Sequence, residues 1–447
     1  SARIQEPGCG PGSRQLHGMF HRSSRSAHLG TVTNKAYEKG ALPMKPLEGI
    51  KVVELSTVVA ASSIGRRLTQ FGATSIKVES LAGDQFRTFG KTYQTPCTED
   101  ENPIFDQLNG CKRSIPLNLK TADGLEVMLK LLEQADVFVT NTRAKALERL
   151  GLDYDTLKER FPRLIYATIT GYGDIGPDKD LPGFDTTAFW GASGFNTDMS
   201  VMTSEYLPTM FPGGMGDSIT AAELTGGICA ALAGRERTGK GDRVTASLLA
   251  TSLYSTSLMT VATQFGRNYP MTRYEGSPTP YRCKDGEFLI FTILSSFEKQ
   301  FAGVCKAIGK PEMLTDERFW PQSNFVKPEN TKAFIQICET AFLTRSCGEW
   351  LEILRGYDVA CSRMNHFKDF VNNEQAKVNG FIRQHTMPSG RQCWVTLPPC
   401  RTENAGEPEF ERAPYLGEHT RQILEELGYS QERIEKMLEE GATLAHA

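Results

Sequence analysis

Asp217 ends the run Pro212-Gly213-Gly214-Met215-Gly216-Asp217 and precedes Ser218, so a glycine-rich turn delivers a carboxylate to the start of a helical pattern. Glycines at 213, 214 and 216 permit positive φ, and successive backbone amides can then converge into an anion-binding nest beside the carboxylate. A carboxylate that attacks a thioester needs such donors to hold the oxyanion that forms. An Asp behind Gly at a helix start is equally a candidate N-cap that does no chemistry, and both roles can hold together. Histidine narrows the chemistry further. None occurs between His28 and His366, which removes from the middle of the chain the imidazole base of Ser-His-Asp and Cys-His mechanisms and the usual ligand of a catalytic zinc.

Other candidate motifs are weaker. A dinucleotide-binding domain carries G-x-G-x-x-G after its first strand, whereas here Ser56-Thr57-Val58-Val59-Ala60-Ala61-Ser62-Ser63 follows, so NAD is disfavoured. The helix start near Ser62 can still offer free amides to an anion. Gly234 to Lys240 nearly spells a phosphate loop, but Gly241 stands where Ser or Thr must hold the metal, and a helix C-cap explains the run better. Lys77, Arg87, Lys112, Arg113, Arg143, Lys145 and Arg149 fall in or near the loops of the expected sheet, where most such side chains are merely solvated. Cys111 beside Lys112 is a candidate for a lowered-pKa thiol, with a buried thiol as the plainer reading.

Positioning these groups requires a scaffold, and the hydrophobic pattern supplies one. Strand-like runs at 51–55, 75–79, 137–140 and 164–168 alternate with helical patterns at 63–71 and 122–134, which predicts an α/β domain with a parallel sheet covered on both faces. Helices are expected over 218–233 and 248–265, separated by the polar break 235–242 and the run Arg243-Val244-Thr245-Ala246. A polar, proline-bearing stretch follows at 268–280, then a strand at 287–293, helices near 298–308, 330–342 and 347–354, and terminal helices at 421–427 and 431–439. The 447 residues and their 39% hydrophobic content suit two or three domains of an enzyme of ordinary size. A formal charge of -3 offers no footprint for nucleic acid or an anionic membrane. Eleven scattered cysteines without C-x-x-C read as thiols in a reducing, cytoplasmic compartment. Residues 1–43, rich in Arg, Gly and Ser, are expected to be disordered, either as a transit peptide or, more simply, as an added leader ahead of a start near Met44.

The chain resembles the class III, or formyl-CoA type, CoA-transferases over roughly Pro46 to Gly441. The resemblance is carried in order by Pro46-Leu47-Glu48-Gly49, Phe71-Gly72-Ala73, Gly83-Asp84 with Arg87, Asn109-Gly110-Cys111-Lys112-Arg113, Ile169-Thr170-Gly171-Tyr172-Gly173, Gly216-Asp217 and Ala413-Pro414-Tyr415-Leu416-Gly417-Glu418-His419-Thr420. It implies a Rossmann-like α/β large domain from 44–235 and 385–447, a linker at 236–280, a small α+β domain at 281–384, and two copies interlocked as a homodimer. It also implies coenzyme A as the acyl-CoA substrate, a free carboxylic acid as partner substrate, no metal, and Asp217 as the catalytic nucleophile. Matching CoA-contacting positions are Val58, Val59, Ala60, Lys112, Asn141, Thr142 and Arg149, with Gly213, Gly214 and Gly216 as oxyanion support.

Within that family, the runs from Asn141 to Leu147 and from Gly176 to Asp185 are most similar to enzymes that move CoA between (R)-2-hydroxyacids and their 2-enoyl-CoA counterparts. The glycine-rich loop that covers the aspartate in formyl-CoA transferases has no counterpart near Arg273 to Pro280. Racemases of 2-methylacyl-CoA share the fold, but their histidine falls where this chain has Phe184, which argues against two-base epimerisation. A non-catalytic acyl-CoA-binding protein is the remaining alternative. Phe189, Trp190, Met199, Met202, Tyr206 and Met210 could line an acyl pocket or simply be core.

Overall fold

Val137, Phe138, Val139 and Thr140 are all fully buried, as a strand in the middle of a parallel sheet must be. The computed structural model describes residues 44–199, 208, 211, 213–272, 279–293 and 297–446; the expected leader, Met202, Tyr206, Met210, Pro212 and most of the stretch from Arg273 to Pro280 lie outside the described residues. Six strands form one sheet: β1 (Lys51–Leu55), β2 (Thr74–Glu79), β3 (Arg113–Pro116), β4 (Val137–Thr140), β5 (Ile165–Thr170) and β6 (Arg243–Ser247). Their order is β3-β2-β1-β4-β5-β6 and every pairing is parallel. The α/β architecture read from the alternation of strands and helices is therefore present.

Nine helices between these strands and just after them matter for the site: α1 (Ala60–Gln70), α2 (Pro103–Asn109), α3 (Ala122–Glu133), α4 (Ala144–Leu150), α5 (Tyr154–Arg160), α6 (Phe195–Asp198), α7 (Met215–Thr238), α8 (Leu248–Ser255) and α9 (Ser257–Thr263). Successive strand residues face opposite sides, so the sheet feeds two cores. Val52, Val137, Val139, Ile165 and Ala167 pack with Ile64 and Leu68 of α1 and Leu224 and Ile228 of α7. Val53, Phe138 and Tyr166 pack on the other face with Met128 and Leu132 of α3 and with Ile423, Leu424, Ile434 and Met437 from the helices Thr420–Glu426 and Gln431–Glu439. A separate core, rich in phenylalanine, joins a three-stranded antiparallel sheet (Tyr281–Arg282, Phe288–Phe291, Cys361–Arg363) to the helices Phe297–Ala307, Pro328–Phe342 and Cys347–Gly356.

Two expectations are corrected. The helix after β1 starts at Ala60 rather than Ser63, because Val59 caps it without any side-chain hydrogen bond and no polar residue marks the start. The helix expected from Leu248 to Phe265 is two helices that break at Thr256, whose φ of -102° and ψ of 14° leave the helical region. Thr256 Oγ1 bonds back to the Ser252 carbonyl at 2.9 Å, in a run where Ser255 does the same to Thr251, and such back-bonding competes with helix continuation. No helix among the described residues is long and apolar enough to cross a membrane.

Candidate active site

The chain leaves β1 toward β2 on one side and β4 toward β5 on the other, so the direction of winding reverses between these neighbouring strands. Ligands of open α/β sheets bind at such a switch point, in the crevice outside the carboxyl ends of the strands. Residues 56–60 follow β1 and Asn141 and Thr142 follow β4, which puts five of the expected CoA-contacting positions on the two lips of that crevice. Asn141 ties the lips together: its Oδ1 accepts from the Thr57 amide at 3.1 Å and its Nδ2 donates to the Thr57 carbonyl at 2.9 Å. Thr142 donates its amide to Thr140 Oγ1 at 3.0 Å. Val58 holds a φ of 62°, Val59 precedes α1, and Ala60 opens it. Among the described residues the first amides of α1 have no helical acceptor and no side-chain cap, the condition under which a helix start can receive an anion.

The basic residues divide into two groups. Lys112, expected to meet CoA, instead points into the protein: its Nζ lies 2.7 Å from Glu54 Oε1, 2.7 Å from the Ser62 carbonyl and 3.0 Å from Asn109 Oδ1. An ammonium has three hydrogens and all three are used, so none is left for a phosphate. Burial holds its pKa down to about 8, against the pull of Glu54. Lys77 is equally buried beside Asp84, Arg87 is engaged with Glu79, and Arg113 with Glu426. Lys145 pairs with Asp180 at 2.8 Å. Arg143 and Arg149, at the start and end of α4, are exposed, and among the described residues only Arg149 Nε of the two guanidinium groups is used, on the Lys145 carbonyl at 3.0 Å. Cys111 is not an activated thiol, since burial raises its pKa.

Asp217 is the third residue of α7, not its N-cap; that place belongs to Gly214. Helix α7 runs from the carboxyl end of the sheet back toward the start of β6, so its first turn opens on the crevice. A Cβ built on Gly214 would lie 3.6 Å from both γ-carbons of Val59, and Arg67 of α1 donates to Ser218 Oγ at 3.0 Å. The first turn of α7 thus sits against α1. Asp217 is 8% exposed, and among the described residues its carboxylate accepts no hydrogen bond. Burial first, and the Asp185 carboxylate second, push its pKa up to about 7.

The three glycines play different parts from those expected. Only Gly214 takes positive φ, at 90°. Gly216 is glycine because a Cβ there would stand 2.3 Å from Cγ of Phe189 and 2.7 Å from Oδ1 of Asp185. Gly213 meets nothing within 4 Å of such an atom and has no positive φ. The expected nest of three converging glycines reduces to the helix start itself, where the amides of Met215 and Gly216 precede the first helical bond, from Ser218 to Gly214.

Asp185 is the site residue that sequence reasoning missed. It is buried at the head of a π-helix (Asp185–Gly191), accepts the Asp217 amide on Oδ1 at 2.8 Å and the Trp190 indole N–H on Oδ2 at 2.7 Å. Its only signal was membership of the Gly183-Phe184-Asp185 run. Phe184 beside it is exposed. Phe189 and Trp190 are fully buried core, Trp190 stacking on Phe211 at 4.5 Å, while Met199 borders a shallow groove with Ser193, Phe195, Met259 and Tyr269. No group of three or more His, Cys, Asp or Glu side chains among the described residues is arranged to hold a metal ion.

Known proteins match this chain along most of its length. The family model described as CoA-transferase family III matches residues 47–420. The (R)-2-hydroxy-4-methylpentanoate CoA-transferase of Clostridioides difficile is 37% identical over 391 residues, which cover 87% of this chain and 97% of the relative. The cinnamoyl-CoA:phenyllactate CoA-transferase of Clostridium sporogenes is 35% identical over 399 residues, 87% of this chain and 95% of that protein. The crystal structure of a CAIB/BAIF family protein from Brucella suis superposes with a TM-score of 0.72 at 28% identity, covering 86% of this chain and 99% of that one. The resemblance read from the ordered motifs is the one these matches give.

Proposed function

We infer, because the chain belongs to CoA-transferase family III, that Asp217 is the group through which CoA passes from an acyl-CoA thioester to a free carboxylic acid. One observation carries this reading: a buried carboxylate without a hydrogen-bond donor among the described residues, set in the first turn of a helix that opens on the switch-point crevice. A structural Asp at that place would be satisfied as a cap. One left without donors in an apolar setting keeps a basic, poorly solvated oxygen, which is what a nucleophile needs.

In the proposed sequence Asp217 attacks the thioester carbonyl, and the carbon–sulfur bond breaks to release CoA thiolate, leaving an acyl-aspartyl mixed anhydride. The thiolate then attacks the aspartyl carbonyl, freeing the donor acid and forming an aspartyl-CoA thioester. Acceptor carboxylate attacks that thioester, a second mixed anhydride forms, and the returning thiolate takes the acceptor acyl group and restores Asp217. Each step forms an oxyanion, and the amides of Met215 and Gly216 lie on the turn that can receive it. The first turn of α1 and the guanidinium groups of Arg143 and Arg149 suit the phosphates of CoA. Val58, Val59 and Ala60 would border the chain of the bound thioester.

The substrates that fit this reading best are 2-hydroxyacids and 2-enoyl-CoA thioesters with apolar side chains, as in the names of the two bacterial relatives. A second copy of the chain is the proposed partner. Tyr254 of α8, Leu258 and Val261 of α9 and Phe265 just beyond it are large apolar side chains exposed close together in sequence, which a solvated monomer has no reason to carry.

The test is Asp217→Asn, assayed for exchange between cinnamoyl-CoA and 2-hydroxyacids, with CoA binding followed by calorimetry. Exchange falls by roughly 10³-fold or more while CoA affinity stays within a few-fold, as expected for loss of a covalent nucleophile. Exchange at the wild-type rate refutes the assignment.

A further inference from the structure

Val58 poses a problem that its neighbours solve. Its φ of 62° lies in the left-handed region, which a β-branched side chain occupies only where the surroundings hold it. Glycine would take this turn freely, yet the chain places there a valine that packs with Val59, Phe86, Phe105 and Ala413. The holding group is Asp84. Its Oδ1 accepts the Val58 amide at 3.2 Å and the Phe86 amide at 2.9 Å, and its Oδ2 lies 3.0 Å from Lys77 Nζ in an ion pair with no exposed side-chain surface. Lys77 in turn donates to the Ser56 carbonyl at 3.0 Å and to Ser62 Oγ at 3.0 Å. One buried pair therefore grips the loop before Thr57, after Thr57, and again inside α1.

We propose that Asp84 and Lys77 are positioning residues that preset the loop 56–60, with Val58 held in its left-handed conformation, to receive acyl-CoA. Neither touches substrate. A buried ion pair is a poor stabiliser compared with apolar residues of the same volume, so its presence under this loop fits a role in shaping it. Without the pair, Val58 relaxes to negative φ, its side chain leaves the crevice lip, and the first amides of α1 lose their aim. The inference rests on the crevice being the CoA site and adds the groups that build it.

The experiment uses the full chain. Asp84→Leu with Lys77→Met removes both charges and the acceptor of the Val58 amide together, and Val58→Gly, made alone and added to the pair, supplies a residue that needs no holding. In the double variant the acyl-CoA KM rises about tenfold with kcat within about twofold; Val58→Gly alone raises KM about threefold by losing its contact with the thioester, and the triple variant stays at that level instead of multiplying the two effects. Should the double variant fail to fold, Asp84→Glu keeps the ion pair, shifts the carboxylate by one methylene and raises KM about threefold, an effect that adds nothing once Val58 is Gly. An unchanged KM in the double variant, or effects of the pair and of Val58→Gly that simply multiply, overturns the positioning role. Val58→Trp separates the two claims: if it binds CoA as wild type does, the crevice reading itself fails. Loss of CoA binding in Val58→Trp beside an unchanged KM in the Asp84 variants removes only the inference about the pair.

Discussion

The backbone amide of Asp217 donates to Oδ1 of Asp185 at 2.8 Å, so two carboxylates meet at the first turn of α7 and, among the described residues, one of them accepts hydrogen bonds and the other none. Asp185 also receives the Trp190 indole N–H and is fixed in place. Asp217 receives nothing among the described residues, and its neighbour's charge adds to burial in raising its pKa. The arrangement separates a group that holds from a group that reacts.

Asp217 must be ionised to attack. With its pKa pushed up to about 7, kcat/KM for the acyl-CoA donor falls about tenfold per pH unit below pH 7 and levels off above it. A profile that stays flat down to pH 5 contradicts the assignment, because an ordinary carboxylate is already ionised there.

The same shift links folding to pH with a definite sign. A carboxyl whose pKa rises from 3.8 to about 7 on folding contributes stability that is full below pH 3.8 and is lost as pH rises through 7. Asp217→Asn removes this penalty, so at pH 8 it stabilises the chain by roughly 1–3 kcal/mol, with a gain that shrinks toward pH 5. Thermal melts at the two pH values check it; a destabilised Asp217→Asn at pH 8 counts against a buried, unbonded carboxylate.

Gly216→Ala places a methyl 2.3 Å from Cγ of Phe189. The helix-propensity gain of about 1 kcal/mol cannot offset a clash with a fully buried ring, and a net loss of roughly 2–4 kcal/mol is expected together with most of the transferase activity. Gly213→Ala meets no atom of the described residues within 4 Å and should leave both near wild type. Denaturant melts and exchange assays on the pair decide the matter; equal tolerance at the two positions refutes the packing account.

If a second copy covers α8 and α9, Leu258→Glu with Phe265→Glu turns a dimer into monomers at micromolar concentration, read by sedimentation. A wild-type chain that sediments as a monomer removes the proposal outright.

The central strands were legible because Val-rich runs buried on both faces have few other places to go, and α7 was legible from its length. Other elements carried no such mark. Strand β3 is short, begins with Arg113 and ends with Pro116, so it read as a motif and not as a strand. The hairpin of Ile382–Thr386 and Gln392–Thr396 exposes Arg383, Gln384 and Thr386 and offers too few apolar positions to reveal a period. At the site, Asp217 stood out by its glycines, but the reason for Gly216 lies in Phe189, and Asp185 meets Asp217 across 32 residues of sequence. Lys112 looked like a phosphate ligand because spacing cannot tell a lysine that faces a crevice from one that faces Glu54.

A single measurement reaches the covalent step directly. Enzyme turning over cinnamoyl-CoA is quenched with hydroxylamine, digested, and searched by mass spectrometry. A hydroxamate is expected on Asp217, in the peptide carrying the first turn of α7, and only when the thioester is present. Active enzyme that carries the modification on another residue, or on none, contradicts the covalent role of Asp217.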